Sequence, residues 1–228
     1  MTSSTPAPPA RRRRRLALPV VLAGSLASLI LALGLSPTVA AFTASIQNTV
    51  DTAGAGSLTM RETDSAGTTI CNSTDGGSVS TNSATCSTIN KYGGNVTMTP
   101  GQTVTTSVNI TNTGSVKATA FSLTPGTCTQ AASATSHGTA SDLCSQMTVA
   151  ITSGSSTLYS GTLAGLTASI DVLNKIGSTG VTAGTTIPVS FAVTLPSSIG
   201  GTYSNLQVSQ VLTWTFTSGC PARARLVR

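Results

Sequence analysis

Two stretches of the chain alternate between apolar and polar residues, and this alternation constrains the fold more than any other feature. Residues 103–111 read TVTTSVNIT, and residues 186–195 read TIPVSFAVTL. Alternation with period two places one face of a β-strand against a core and leaves the other face in water. Weaker versions of the pattern recur between turns rich in Gly, Pro and Asn, at residues 117–124, 146–152 and 207–217. The sequence therefore predicts an all-β fold, an antiparallel β-sandwich of the jelly-roll or Ig-like kind.

The same pattern indicates where the sandwich is irregular. Residues 163–176 are the one stretch whose apolar residues recur at helical spacing, so we expect at most one short helix, located there. We predict a further short strand at residues 95–99 and a loop at residues 130–141. Pro188 has no N–H to give to a neighbouring strand, which predicts either an edge strand or the start of a strand.

Charge is scarce and is concentrated at the two ends of the chain. Charged residues make up 8% of the sequence, against about 25% in a typical globular protein. The net charge of +6 comes from five arginines at 11–15 and from Arg223, Arg225 and Arg228, while residues 42–220 carry four cations and six acids. A body with a net charge of −2 and 4% aromatic residues offers neither a basic patch nor a stacking platform. This composition excludes nucleic acid as a partner.

The beginning of the chain has the order of a secretory signal. Five arginines precede an apolar region at 16–35, a Ser-Pro break and small residues that lead to the candidate cleavage positions, Ala40 and Ala41. We therefore expect a secreted protein that acts at the cell surface or in an extracellular matrix. An uncleaved signal is the alternative, because about twenty apolar residues can span a bilayer, and this segment would then be the only contact with the membrane. These features divide the chain into a disordered basic leader, a signal peptide, a sandwich domain and a disordered basic tail, at residues 1–15, 16–41, 42–217 and 218–228.

Five cysteines follow the signal, and an exported chain is expected to hold cysteines as disulfides. Proximity in sequence favours the pairs Cys71–Cys86 and Cys128–Cys144, although four cysteines allow three pairings. Each pair would close a loop of roughly fifteen residues, worth about 3 kcal/mol in the chain-entropy model. Cys220 is left over, and either a free thiol or an intermolecular bridge would account for it.

The chain lacks the residues that common hydrolytic sites require. A zinc peptidase needs about three protein ligands and a base, usually with two histidines on one helical turn, whereas His137 is the one histidine in the sequence. No G-x-S-x-G elbow marks a nucleophilic serine. Trp214 and Phe216 are interpreted as core residues rather than as a binding platform. We therefore predict that the protein is not an enzyme and has no catalytic residue, metal or cofactor.

Several segments resemble the TasA/camelysin-like family of exported bacterial proteins. They are AAFTASIQNT, LTMRETDSAG, IPVSFAVTLPSS and LTWTF, at residues 40–49, 58–67, 187–198 and 212–216. The resemblance implies a jelly-roll-like β-sandwich that a Gram-positive type of cell secretes after a dedicated signal peptidase has processed it. It also implies assembly into the fibres of an extracellular matrix or biofilm, in which an N-terminal segment of one subunit completes the sheet of the next.

We therefore expect a matrix fibre subunit whose partners are its own copies or other matrix proteins, with the signal peptidase as a partner during export. The candidate donor strand is residues 42–50, with its side chains at Phe42, Ala44, Ile46 and Val50. The alternative is that this segment forms the first strand of its own sandwich. Two other functions stay open: a cell-surface Ig-like module that binds a ligand at its loop ends, and a camelysin-like secreted peptidase, which the single histidine disfavours.

Overall fold

The computed structural model describes residues 52–219, which form an all-β structure with antiparallel sheets. The predicted fold class is thereby confirmed. The predicted leader, the predicted signal peptide with Ala40 and Ala41, the candidate donor strand, and residues 220–228 of the predicted tail with Cys220 lie outside the described residues. No helix within residues 52–219 combines the length and the hydropathy needed to cross a bilayer.

One layer of the structure is a six-stranded antiparallel sheet. Its strands are β1 (Met60–Asp64), β2 (Ile70–Asn72), β3 (Thr103–Asn112), β6 (Thr148–Ser153), β7 (Ser156–Thr162) and β9 (Thr186–Thr194). Their order across the sheet is β2-β1-β3-β9-β6-β7, so β3 and β9 lie at its centre. This central pair keeps one register from Thr103 opposite Thr194 to Thr111 opposite Thr186.

The facing strands are shorter and form two separate sheets. The larger has the order β11-β4-β8 and consists of β4 (Ala120–Pro125), β8 (Ile170–Asp171) and β11 (Leu212–Thr217). The smaller pairs β5 (Thr129–Ala132) with β10 (Leu206–Ser209). Residues 207–217, predicted as one strand, are thus divided at Gln210 and Val211, because β10 pairs with β5 whereas β11 pairs with β4.

The layers enclose an apolar core whose positions follow the predicted alternation. The exposed fraction is 0% for Val108 and Ile110 of β3 and for Phe191 of β9. The ring of Phe191 lies 6.2 Å from that of Trp214 in β11, measured between centroids, which joins the two layers. Within the second layer, Phe121 of β4 lies 5.3 Å from Trp214.

The predicted helix over residues 163–176 is wrong for its larger part. Residues 163–169 are turns and bends and Ile170–Asp171 is β8, so only α2 (Val172–Ile176) is helical. The reason is local, because the Asp171 side chain accepts a hydrogen bond from the Asn174 N–H and so begins a helix late in the stretch. Two short elements were not predicted: α1 (Leu143–Gln146) and a 3-10 turn at Gly201–Tyr203.

Two other expectations about strands are corrected by the structure. Residues 95–99 form no strand, because Oδ1 of Asn95 accepts hydrogen bonds from the Thr97 N–H at 2.9 Å and hydroxyl at 3.0 Å and turns the chain. Residues 130–141 are not all loop, since their beginning belongs to β5. The β5 sequence, TQAA, has no alternation that would have revealed it.

Pro188 lies in a central strand, so its predicted edge position is wrong, whereas its predicted place near the start of a strand is correct. It occupies the third position of β9 and faces Asn109 of β3. On the other side of β9, pairing with β6 runs from Thr194 only as far as Ser190. Pro188 therefore precedes the part of β9 that must donate hydrogen bonds to β6.

Candidate functional site

The connection between β2 and β3, residues 73–102, contains no helix or strand and is fastened to the sheet by a disulfide. Cys71 of β2 is bonded to Cys86, and their Cα atoms are 5.8 Å apart. A second disulfide joins Cys128 to Cys144, with a Cα separation of 6.1 Å. These are the two pairs that proximity in sequence favours, and disulfides indicate an oxidising environment.

A cleft of about 1250 Å³ separates this connection from the second layer. We call it the edge cleft. One wall is formed by residues 82–98 of the connection, and the other by the continuous run 203–216, which includes β10 and all of β11 except its last residue. Apolar residues line it from the core side, namely Leu143, Met147, Val193 and Leu195. The edge cleft therefore lies along strands that have a neighbour on one side only.

The hydrogen-bond pattern identifies which backbone groups of β11 face the edge cleft. Leu212 is opposite Pro125, which has no N–H, and the Gly126 N–H donates to the Val211 carbonyl at 2.7 Å. In an antiparallel ladder, residues that bond to the neighbouring strand alternate with residues that do not. The N–H and C=O groups of Leu212, Trp214 and Phe216 therefore point away from β4, and they have no partner among residues 52–219. This free edge can accept another extended segment.

A buried ion pair crosses the edge cleft. The carboxylate of Glu62, on β1, lies 2.8 Å from Nζ of Lys91 and accepts a hydrogen bond of 3.1 Å from Nε1 of Trp214. The exposed fraction is 10% for the Lys91 side chain and 8% for that of Glu62. We call these three residues the Glu62 cluster. It connects the six-stranded sheet, the long connection and β11, so it bridges the walls of the cleft at this level.

A second polar contact crosses the cleft beside the first. The Tyr92 hydroxyl donates to Oε1 of Gln210 at 2.8 Å, and Nε2 of Gln210 donates to the carbonyls of Gly126 and Leu166 at 2.7 and 2.8 Å. Burial raises the pKa of Tyr92 well above its usual value, so the phenol stays protonated and keeps donating. Gln210 is thereby held at the break between β10 and β11.

Two exposed apolar side chains lie at the mouth of the edge cleft. Val96 of the long connection is 51% exposed, and Val211 before β11 is 71% exposed. Both line the cleft. Trp214 and Phe216 were interpreted as core residues, but each is only half-buried and also lines it. The cleft thus combines free backbone groups with apolar surface, which is the chemistry that an added β-strand requires.

Three carboxylates, of which Asp75 and Asp142 are exposed and Asp64 is half-buried, stabilise turns around this part of the fold. A hydrogen bond of 2.6 Å from the Thr68 hydroxyl lowers the pKa of Asp64. The backbone N–H of Asn72, also at 2.6 Å, lowers the pKa of Asp75. Gln146, and then the hydroxyl of Tyr203 on the cleft wall, lower the pKa of Asp142. Each of these acids is therefore ionised at neutral pH and accepts hydrogen bonds as a carboxylate.

The residues considered for catalysis do not converge. His137 is exposed in a loop, and its Nδ1 lies 2.9 Å from the carbonyl oxygen of Gly138. Within residues 52–219 no three His, Cys, Asp or Glu side chains lie close enough together to hold a metal ion. The camelysin-like peptidase alternative gains no support from these positions.

The Glu62 cluster was not predicted from the sequence, although the sequence contains a signal for the inward orientation of Glu62. Leu58, Met60 and Glu62 have the same parity in the stretch SLTMRE, so a strand that buries the first two also turns Glu62 inward. A buried carboxylate needs a partner. The identity of that partner, Lys91, depends on how the long connection folds, for which the sequence has no periodic signal.

No protein-family model matches the chain, and a search of curated proteins finds no match to it. Function is therefore inferred from the edge cleft and from the free edge of β11.

Proposed function

We propose that the chain is a secreted structural protein, a subunit of extracellular matrix fibres that assembles by β-strand addition. Residues 42–50 of one copy enter the edge cleft of the next and pair with the free edge of β11. The single observation that carries this proposal is the unpaired edge of β11 along a cleft of about 1250 Å³. Edge strands invite pairing with another chain, and proteins that do not use such an edge usually cover it.

The dimensions of the donor segment fit this role. A β-strand rises about 3.3 Å per residue, so residues 42–50 extend for about 30 Å, while β11 needs about 20 Å. In an extended segment, Phe42, Ala44, Ile46 and Val50 project from one face, with Asn48 as its one polar residue. That face is apolar enough to pack against the half-buried side chains of the cleft, while backbone hydrogen bonds supply affinity.

The order of the N-terminal segments supports export before assembly. The basic, apolar and small-residue regions of residues 11–41 have the order of a secretory signal, and the two disulfides agree with an oxidising compartment. Cleavage near Ala41 would leave the donor segment at the new N-terminus. The protein would then acquire a free donor strand only after it has left the cell.

The test uses the mature protein, residues 42–228, examined by electron microscopy and sedimentation. We expect fibres from this protein and none from a variant that lacks residues 42–50. Leu212→Pro removes an N–H that points to the free edge, so it should block assembly. Leu212→Ala loses the same side chain but keeps the N–H, and it should still assemble. Circular dichroism checks that both variants are folded.

Two results would overturn the proposal. The first is a mature protein that stays monomeric at high concentration and unfolds when residues 42–50 are deleted, which would make this segment the first strand of its own sandwich. The second is equal assembly by the Leu212→Pro and Leu212→Ala variants. A folded monomer that captures a soluble ligand would instead favour the Ig-like binding module.

A further inference from the structure

The outer face of the six-stranded sheet carries rows of hydroxyl groups. Thr162, Thr148, Thr194 and Thr103 lie directly opposite one another on β7, β6, β9 and β3, so they form one continuous row across four strands. The other outward side chains of these strands are Thr, Ser, Asn, Ala and Pro. We call this surface the threonine face. None of its outward residues is buried, so no described part of the chain covers it.

The threonine face has no charge. The sequences of β3, β6, β7 and β9 contain no Asp, Glu, Lys or Arg. Elsewhere in the described chain, Arg61 of β1 is exposed at the rim of this side of the sheet, opposite Thr111, and the other charged residues lie on β1, on β8, in α2, beside α1 or in the connections. Like charges on opposing surfaces keep protein molecules apart. The four strands of the face therefore contribute no charge of their own that would repel a neutral partner or a second copy of the chain, and Arg61 adds one cation at the rim.

Many of the hydroxyls are already paired with one another. Oγ1 of Thr103 lies 2.7 Å from that of Thr194, and Oγ1 of Thr111 lies 2.8 Å from that of Thr186. The Ser107 hydroxyl donates to that of Ser190 at 3.2 Å. Covering a polar group that keeps its hydrogen bond costs far less than covering one that loses it. The threonine face can therefore be covered without a partner that matches each hydroxyl.

We propose that the threonine face is the lateral contact between neighbouring fibres, with the same face of a second copy as its occupant. This inference rests on the proposed function. Four strands spaced about 4.8 Å apart and up to about 30 Å long present roughly 500 Å² per copy. A pair of copies would bury about 1,000 Å², which is near the lower limit of specific interfaces and too little for a stable isolated dimer.

Repetition of the threonine face along a fibre compensates for the small area that each pair of copies would bury. Subunits joined by strand addition present the threonine face at a regular interval, so two parallel fibres make many weak contacts at once. The face lacks aromatic side chains, which a sugar-binding surface would be expected to use for stacking. A second copy, which has the same uncharged rows at the same spacing, is therefore the partner that the surface fits best.

The experiment places charges on the row of threonines in the mature protein. Thr148→Lys with Thr194→Lys should leave single fibres intact and abolish their bundling, seen by electron microscopy and as loss of material that sediments at low speed. The matched control is Ala168→Lys with Ala183→Lys, which adds the same charge at exposed positions outside the face and should bundle normally. Circular dichroism and the thermal midpoint check that the variants are folded.

A second pair of substitutions tests the contact between copies directly. Thr148→Asp with Thr194→Asp should also give single fibres. Mixing these acidic fibres with the lysine fibres should restore bundles, because opposite charges then meet across the contact. Restoration on mixing would be unexplained if the threonines served only the stability of the sheet.

The outcomes separate this inference from the proposed function. If the lysine variant bundles like the wild type, or if mixed acidic and lysine fibres do not bundle, the lateral contact is overturned and the proposed function is unaffected. Co-sedimentation of single wild-type fibres with an insoluble neutral polysaccharide, lost in the lysine variant, also overturns the lateral contact in favour of a sugar partner. A mature protein that forms no fibres at all overturns both.

Discussion

The central strands of the six-stranded sheet and the strands along the edge cleft are packed to different extents. The inward side chains of β3 and β9 are almost free of solvent exposure at their centres. Those of β10 and β11 are half-buried throughout, although they include the largest apolar residue of the chain, Trp214. One region is complete as a folded unit, while the other has apolar surface and backbone groups for which the described chain supplies no cover. Fold stability and assembly are thus expected to reside in different strands.

The sharpest test of this difference compares two phenylalanines. Phe191→Ala, at 0% exposure in β9, should lower the free energy of unfolding by about 4 kcal/mol, as expected for a fully enclosed aromatic residue. Phe216→Ala on β11 should cost about 2 kcal/mol, because part of that ring is already in water. Urea denaturation of the monomer measures both. Equal losses would show that the edge cleft is as well packed as the core.

The disulfides provide a second comparison. Replacing Cys71 and Cys86 by serine should lower stability by about 3 kcal/mol through loop entropy, and replacing Cys128 and Cys144 should cost about the same. Only the first pair holds a wall of the edge cleft, so only its loss should increase hydrogen exchange in residues 82–98 and reduce fibre formation. The comparison fails if the two variants assemble equally well.

The Glu62 cluster tests whether the cleft is held at a fixed width. Glu62→Gln leaves the Lys91 ammonium without its partner and should cost about 2 kcal/mol, which is less than in a fully enclosed pair because the cleft opens to water. The double variant Glu62→Gln/Lys91→Met removes both charges and should recover most of the loss. Thermal denaturation compares the two. If the single variant is as stable as wild type, the ion pair is not what joins the walls.

The smallest expected effect is on pH dependence. Asp64, Asp75 and Asp142 all have a pKa below the ordinary value of 3.8. A carboxylate whose pKa is lowered by folding adds stability above its unfolded pKa, and this stability is lost as the pH falls through the folded pKa. We expect a modest decrease in the thermal midpoint below pH 4, reduced in an Asp142→Asn variant. An unchanged slope in that variant would contradict the role of Asp142.

The sandwich could be predicted from sequence because its centre is periodic. The residues of strands β3 and β9 alternate between apolar and polar over nearly their whole length. A shift of the pairing register by one residue would expose every buried side chain of a strand to solvent. The elements outside this centre show no comparable alternation in sequence. The sequence TQAA of β5 does not alternate, and the late cap at Asp171 overrode the helical spacing that begins at Leu163.

The edge cleft could not be predicted for a different reason. It depends on a connection without regular structure, whose path is set by Cys71–Cys86 and by the contact between Lys91 and Glu62. The parity of Glu62 with Met60 indicated an inward carboxylate, but nothing nearby in sequence indicated a cation to meet it. Long-range polar contacts of this kind have no local pattern from which they could be read.

The position of Trp214 gives the molecule a natural optical reporter. It is the only tryptophan in the chain, its indole N–H is bonded to a carboxylate, and its ring borders the edge cleft while remaining partly in water. Occupation of the cleft would remove that water, so the emission of this one fluorophore should move to shorter wavelength as subunits join. Assembly could then be followed in real time, in unlabelled protein, by the fluorescence of Trp214.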